Sequence, residues 1–217
     1  MGKKEDRAVE LNEEGLASFD IWEIDKAIDA FQKAIKNDPK QPDYHLNLTR
    51  AYTRSGDYDK AMEALGSYLQ VETDPELIDR FEMLFSSGLD DVEQKLIEGM
   101  KKLGLPIQQI GKAIQMWLEY RITVGRKPLR TPKPELWAAG LTYAIIKINF
   151  VEMTRAEVSA VYNVSPRALK EKYDELVDRL DLMPSDYRYF TGDDNPLDKL
   201  VEAAELLEGL ERKFRED

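Results

Sequence analysis

Few side chains in this 217-residue sequence can do covalent or metal chemistry. There is one histidine, His45, and no cysteine. That composition excludes disulfides, thiolate nucleophiles and cysteine-based zinc sites, and leaves almost nothing for histidine-mediated acid–base work. Glycine-rich phosphate loops are absent as well. Neither a catalytic group set nor a cofactor or metal site is expected. What remains is charge. Arg121, Arg126, Lys127, Arg130 and Lys133 follow one another with no acid between them. With Arg155, Arg167 and Lys170 downstream, they form a candidate surface for nucleic acid or an acidic partner. Two other readings fit the run: a solvated loop stiffened by Pro128, Pro132 and Pro134, or a patch that meets an acidic surface of this same chain. Asp193-Asp194 fits either a cation site or the cap of a helix N-terminus.

The wider charge pattern weighs against nucleic acid. Net charge is −11 and 34% of residues are charged. The acidic excess falls in residues 1–90 and 191–217, with a slightly basic middle, so the overall field repels phosphate at long range. The most apolar run, Leu136 to Ile146, falls short of the roughly 20 residues of a membrane span and reads as a buried helix. No apolar N-terminal stretch follows Met1-Gly2-Lys3-Lys4, and Asp6 breaks the myristoylation pattern. A cytoplasmic protein with no membrane contact is expected.

These groups must be placed by helices, since no strand pattern occurs. The first third repeats itself every 34 residues: Ile24 with Tyr58, Ala27 with Ala61, Phe31 with Leu65, and Leu11 with His45. Such a period marks stacked helical hairpins, in which small residues let paired helices approach and large ones fill the seam. Leu11, Gly15, Ile24, Ala27, Phe31, Ala34 and Pro39 build the first unit. Leu48, Tyr52, Gly56, Tyr58, Ala61 and Leu65 build the second, and Thr49 stands where Gly15 does in the first, which predicts looser packing there. This resembles the tetratricopeptide family over residues 7–75. The resemblance implies a concave face lined from the first helix of each hairpin, with Asn12, Leu16, Phe19, Leu46, Arg50 and Arg54 as candidate peptide contacts. The lysine–asparagine clamp by which some of these repeats grip a C-terminal carboxylate is missing, since its places hold Asn12 and Leu16. Apolar groups beside Arg50 and Arg54 suit an acidic-hydrophobic peptide or helix. The same face could instead be covered by the chain's own later helices. His45 occupies a core position. Trp22 replaces the usual loop glycine and is the most exposed of the three tryptophans.

Asp74-Pro75-Glu76 opens a capping helix that ends before Gly88. Further helices are predicted at Asp91–Leu103, Ile107–Val124, Glu135–Ile148, Arg155–Tyr162 and Arg167–Leu180. Thr154 and Glu157 form a capping box, Asn163 sits at a left-handed turn, and Ser165-Pro166 starts the next helix. That is a helix-turn-helix pattern. With the preceding Pro134-Glu135, the Ala-rich helix, Glu157-Val158, Val164-Ser165, Arg167, Lys170 and Tyr173, residues 90–182 resemble one cyclin-like repeat of transcription factor IIB. The resemblance implies a five-helix platform for protein or DNA and a link to transcription. With no zinc ribbon and room for one repeat, a general initiation factor is not implied. Leu197, Leu200, Val201, Ala204, Leu207 and Leu210 mark an amphipathic helix over Pro196 to Phe214 with an acidic reverse face.

The expected protein is all-α, with a repeat pair and capping helix (1–88), a cyclin-like bundle with a helix-turn-helix (89–190) and an acidic C-terminal helix (191–217). Its expected function is that of a non-catalytic adaptor holding a protein or peptide partner. The alternative is a DNA-binding transcriptional regulator using the helix-turn-helix. The oligomeric state is not legible.

Overall fold

The computed structural model describes residues 3–85 and 88–192. Among them all the regular secondary structure is helical. The helices are α1 (Lys3–Asp20), α2 (Ile24–Asn37), α3 (Pro42–Ser55), α4 (Tyr58–Leu69), α5 (Pro75–Glu82), α6 (Asp91–Lys102), α7 (Ile107–Thr123), α8 (Pro134–Ile148), α9 (Arg155–Tyr162) and α10 (Pro166–Leu180), with a 3-10 turn at Met83–Phe85 after α5. The expected helix over Pro196 to Phe214 and the Asp193-Asp194 pair lie outside the described residues.

Local chemistry fixes the helix starts. The Asp57, Asp74 and Ser165 side chains accept from the Lys60, Glu76 and Ala168 backbone N–H groups. Asp90 with Glu93, and Thr154 with Glu157, form reciprocal capping boxes. Three ends are set by left-handed residues: Gly56 closes α3 at φ 83°, Asn163 closes α9 at φ 51°, ψ 45°, and Asp181 closes α10 at φ 47°, ψ 52°.

The chain divides into two compact units. One comprises Met1–Gly88 with Leu118–Leu129, the other Leu89–Trp117 with Arg130–Asp217. The α7 helix therefore gives its last turns to the first unit. In that unit, Phe19, Ala27, Phe31, Leu48, Ala51 and Ala64 form one buried seam, and Leu46, Leu65, Tyr68 and Phe81 form another. Gly15 is required by the first seam: a Cβ there would lie 2.5 Å from Cε1 of the Phe31 ring. Thr49 is not a loose spot. It is fully buried, its hydroxyl donating 2.9 Å to the His45 carbonyl, and the smaller Leu65 stands where the first repeat has Phe31. His45 packs as expected, its Nε2 2.8 Å from the Pro39 carbonyl oxygen.

In the second unit, α8 is the buried central helix. Trp117 stacks at a tilt on Trp137 with centroids 5.3 Å apart, and its indole N–H donates 2.8 Å to Asp90. Trp22 is only half-buried, in contrast to both of these. The Tyr162 hydroxyl shares a 2.6 Å hydrogen bond with Thr142 and donates to the Leu96 carbonyl at 3.3 Å, tying α9 to α8 and α6.

Candidate functional site

The face expected to hold a peptide is differently occupied. Phe19, Leu46 and Arg54 are only 5%, 4% and 3% exposed, which corrects their assignment to an open groove. Phe19 and Leu46 point into the two apolar seams, where burial is worth more than exposure to a partner. The Arg54 guanidinium carbon lies over two rings, 4.3 Å from the Phe19 centroid and 4.7 Å from that of Trp22, and that of Arg50 stands 5.1 Å from Phe19. Burial, then the Arg54 charge, pulls the Arg50 guanidinium below its ordinary range, with Asp20 opposing. Asn12 accepts 2.9 Å from the Asn47 amide, which in turn accepts from Arg50 at 3.2 Å. Leu16 packs half-buried against the first seam. Of the six, Phe19, Leu46 and Arg54 are buried, whereas Asn12, Leu16 and Arg50 stay partly exposed.

The charged site lies on α3, α5 and the turn between α4 and α5, and its ligand comes from the chain itself. Glu72, just past α4, has a side chain with no solvent access. Its carboxylate accepts from the Tyr68 hydroxyl at 2.6 Å and from the Thr73 and Asp74 backbone N–H groups at 2.8 and 3.0 Å. The Arg126 guanidinium completes the set, with Nε 3.0 Å from one carboxylate oxygen and Nη2 3.2 Å from the other. Asp43 on α3 stands 3.7 Å from the same guanidinium. Arg80 on α5 donates to the Gly125 and Lys127 carbonyls on either side. A Cβ on Gly125 would meet Leu46 at 3.8 Å. Residues 124–129 thus form a strap seated on the repeat unit.

Its electrostatics follow from these contacts. Burial is the largest influence on Glu72 and pushes its carboxyl upward. The Tyr68 hydrogen bond, the two amides and the Arg126 charge outweigh it and hold the carboxyl below the usual glutamate range. The Tyr68 phenol is pushed well above its ordinary value by burial and by the hydrogen bond to Glu72.

The basic candidates are divided between the two units. Arg126 and Lys127 belong to the first unit, and Arg130, Lys133, Arg155, Arg167 and Lys170 to the second. Lys127, Arg130 and Lys133 are exposed and Arg155 is partly so. On α10, Arg167 pairs with Glu171 at 3.0 Å and Lys170 pairs with Asp174, each one turn away. Among the described residues, no group of three or more His, Cys, Asp or Glu side chains could hold a metal ion. None of the described helices is long and apolar enough to cross a membrane.

The hairpin geometry, the small residue against Phe31 and the 34-residue period agree with a comparison of sequences. Residues 23–79 match the family model described as tetratricopeptide repeat. No curated protein and no solved structure matches the chain. The match spans α2 through most of α5 and includes Asp43, Tyr68 and Glu72, so the receiving side of the site lies within the matched segment. Sequence reasoning missed Glu72 and Arg80. Arg126 was in view, but only as a member of a charge run.

Proposed function

We propose that this chain is a non-catalytic protein-interaction adaptor whose tetratricopeptide unit receives an arginine-bearing segment on the face formed by α3 and α5. Tetratricopeptide repeats generally mediate protein–protein interactions, and the observation that supports this particular reading is the Arg126 guanidinium on the buried Glu72 carboxylate. The pocket is specific for a guanidinium: it presents a fixed, solvent-free carboxylate with a second acid, Asp43, beside it. The strap supplies that arginine in cis. A partner segment of the same chemistry competes with it, so the preferred ligand is a basic peptide, opposite in sign to the acidic one expected beside Arg50 and Arg54. In this reading residues 1–88 act with 118–129 as one binding unit. A cyclin-like platform over 90–182, and any link to transcription, rests on the residues from Arg130 to Leu180 alone.

The test uses the full chain and a labelled peptide copying residues 120–130, followed by fluorescence anisotropy. The Arg126→Ala chain, with its own strap loosened, binds the peptide more tightly than the unaltered chain does. Glu72→Gln abolishes that gain, as does alanine at the peptide position that copies Arg126. Binding that ignores the residue copying Arg126, or no binding to the loosened chain, makes the strap a permanent part of the fold and ends the adaptor reading for this face.

A further inference from the structure

The second unit carries an apolar groove that neither the repeat match nor the Arg126 site explains. Its volume is about 400 Å³, and it opens between α8, α10 and the segment after α10. Ile148 and Phe150 form one wall, Tyr173 and Val177 another, with Met183 at the mouth and Lys147 as the one charged residue of the lining. Phe150 and Met183 remain 44% and 46% exposed. Phe150 also holds φ at 53°, a backbone region unfavourable for a bulky side chain. A ring kept at such a position, half in water, is what an uncovered binding wall looks like.

The chain's own course brings a covering segment to this place. Asn149, the residue before Phe150, accepts from the Thr191 backbone N–H at 2.7 Å and from its hydroxyl at 2.8 Å, and donates to the Tyr189 carbonyl at 3.1 Å. Residues 189–191 are therefore anchored beside the groove wall. Beyond them the sequence continues for a further 25 residues outside the described part, beginning at Asp193. The four residues 193–196 span at most about 14 Å when extended, so Leu197 starts within reach of Phe150. From there Leu197, Leu200, Val201, Ala204, Leu207 and Leu210 recur at the spacing of one helical face, while Asp198, Glu202, Glu205 and Glu208 fall on the others. The apolar stripe matches the lining, and the acids suit Lys147 at the rim.

We propose that residues 197–210 seat their apolar stripe in the α8–α10 groove of the same molecule, covering Phe150 and Met183. This goes beyond the adaptor reading and does not depend on it. Because the sequence has no cysteine, single and paired cysteines can be placed without background. A bimane label on Met183→Cys in the full chain should emit as from an apolar site, at the same wavelength at all protein concentrations. Replacing Leu197, Leu200 and Leu207 by Asp together should move the emission to its value in water. Oxidising Met183→Cys paired in turn with Leu197→Cys, Leu200→Cys or Ala204→Cys should give an intramolecular disulfide at one position several-fold over the others. This second measurement leaves most of the stripe intact. An emission already that of water in the unaltered tail, with no disulfide at any position, refutes the proposal and leaves the groove to an outside partner. A shift that grows with concentration, with disulfides between chains, refutes it in favour of a second copy.

Discussion

The Arg126 guanidinium lies 3.0 Å from a Glu72 carboxylate whose side chain has no solvent access, across 54 residues of sequence. The two ends of that pair are unequal. Glu72 has three other donors, whereas the Arg126 side chain is 39% exposed and is held by acids alone. Removing the arginine leaves a carboxylate still well solvated by protein, and removing the carboxylate orphans a tyrosine hydroxyl and two amides. Arg126→Ala is expected to lower stability by about 1 kcal/mol after allowing for solvent screening. Glu72→Ala is expected to cost about 2–4 kcal/mol. Urea unfolding of both variants and of the Arg126→Ala/Glu72→Ala double variant measures the coupling. Purely additive effects would mean that the salt bridge does nothing for the fold.

The same carboxylate sets an acid limb. Its folded-state value is depressed, so its stabilising contribution is complete above the ordinary glutamate value of about 4.3 and is lost as pH falls through the lower folded value. Between pH 7 and 5 this group contributes no slope. Below that, the unaltered chain should lose stability more steeply than Glu72→Gln, whose side chain does not titrate. Thermal unfolding from pH 6 down to pH 2.5 shows whether the two curves converge at the acid end. Parallel curves would contradict the assignment.

The period of 34 residues made the hairpins legible, because helix pairing and the small–large matching within them are local properties of the sequence. The site was not legible for the opposite reason. Glu72 is one acid among 42 Asp and Glu residues. Its role depends on α7 carrying residues 118–129 back to the repeats, a long-range event that periodicity does not encode. The facing of α1 and α3 was misjudged for a subtler reason. Successive residues on a helix are rotated by about 100°, so the seam and the open face lie one or two positions apart. Phe19 and Leu46 belong to the seam. Trp22, by contrast, was rightly placed in a glycine's position: it adopts φ 62°, and its ring is held over Arg54.

The repeat relationship itself can be tested at its tightest contact. An alanine at Gly15 puts its Cβ 2.5 Å from the Phe31 ring, a distance at which the ring must move. Overpacking of this kind costs about 1–3 kcal/mol, against a gain of about 1 kcal/mol from replacing a helical glycine. The second repeat has Thr49 and Leu65 at the equivalent places, a larger residue matched by a smaller one. Gly15→Thr alone should therefore be strongly destabilising, and Gly15→Thr with Phe31→Leu should recover much of the loss. A double variant no more stable than the single one would break the equivalence between the two hairpins.

In the second unit Tyr162 carries a comparable weight. Burial drives its phenol well above the ordinary value, only partly relieved by the Thr142 hydrogen bond, so it remains a neutral donor. Tyr162→Phe removes the bonds to Thr142 and to the Leu96 carbonyl without changing shape, and should cost about 1–2 kcal/mol. Thr142→Val in the same background should cost little more, since its partner has already gone. Chemical denaturation of the three variants checks this, and equal losses from both single changes that simply add would show that the hydroxyls do not act as a pair.

Duplex DNA binding separates the adaptor from its alternative. A protein that neutralises several phosphates loses affinity steeply with salt, the logarithmic slope being about −0.9 per phosphate contact. On α10 each candidate cation has an acid one turn away, Arg167 with Glu171 and Lys170 with Asp174. Displacing these partners returns little net charge to a chain that already carries −11. The expected outcome is no binding whose slope exceeds that of a single contact when anisotropy with a labelled duplex is read at two salt concentrations. Arg167→Glu with Lys170→Glu should leave the signal unchanged. A steep slope abolished by that double reversal would show that α10 releases its own acids on meeting phosphate, and would favour the regulator over the adaptor.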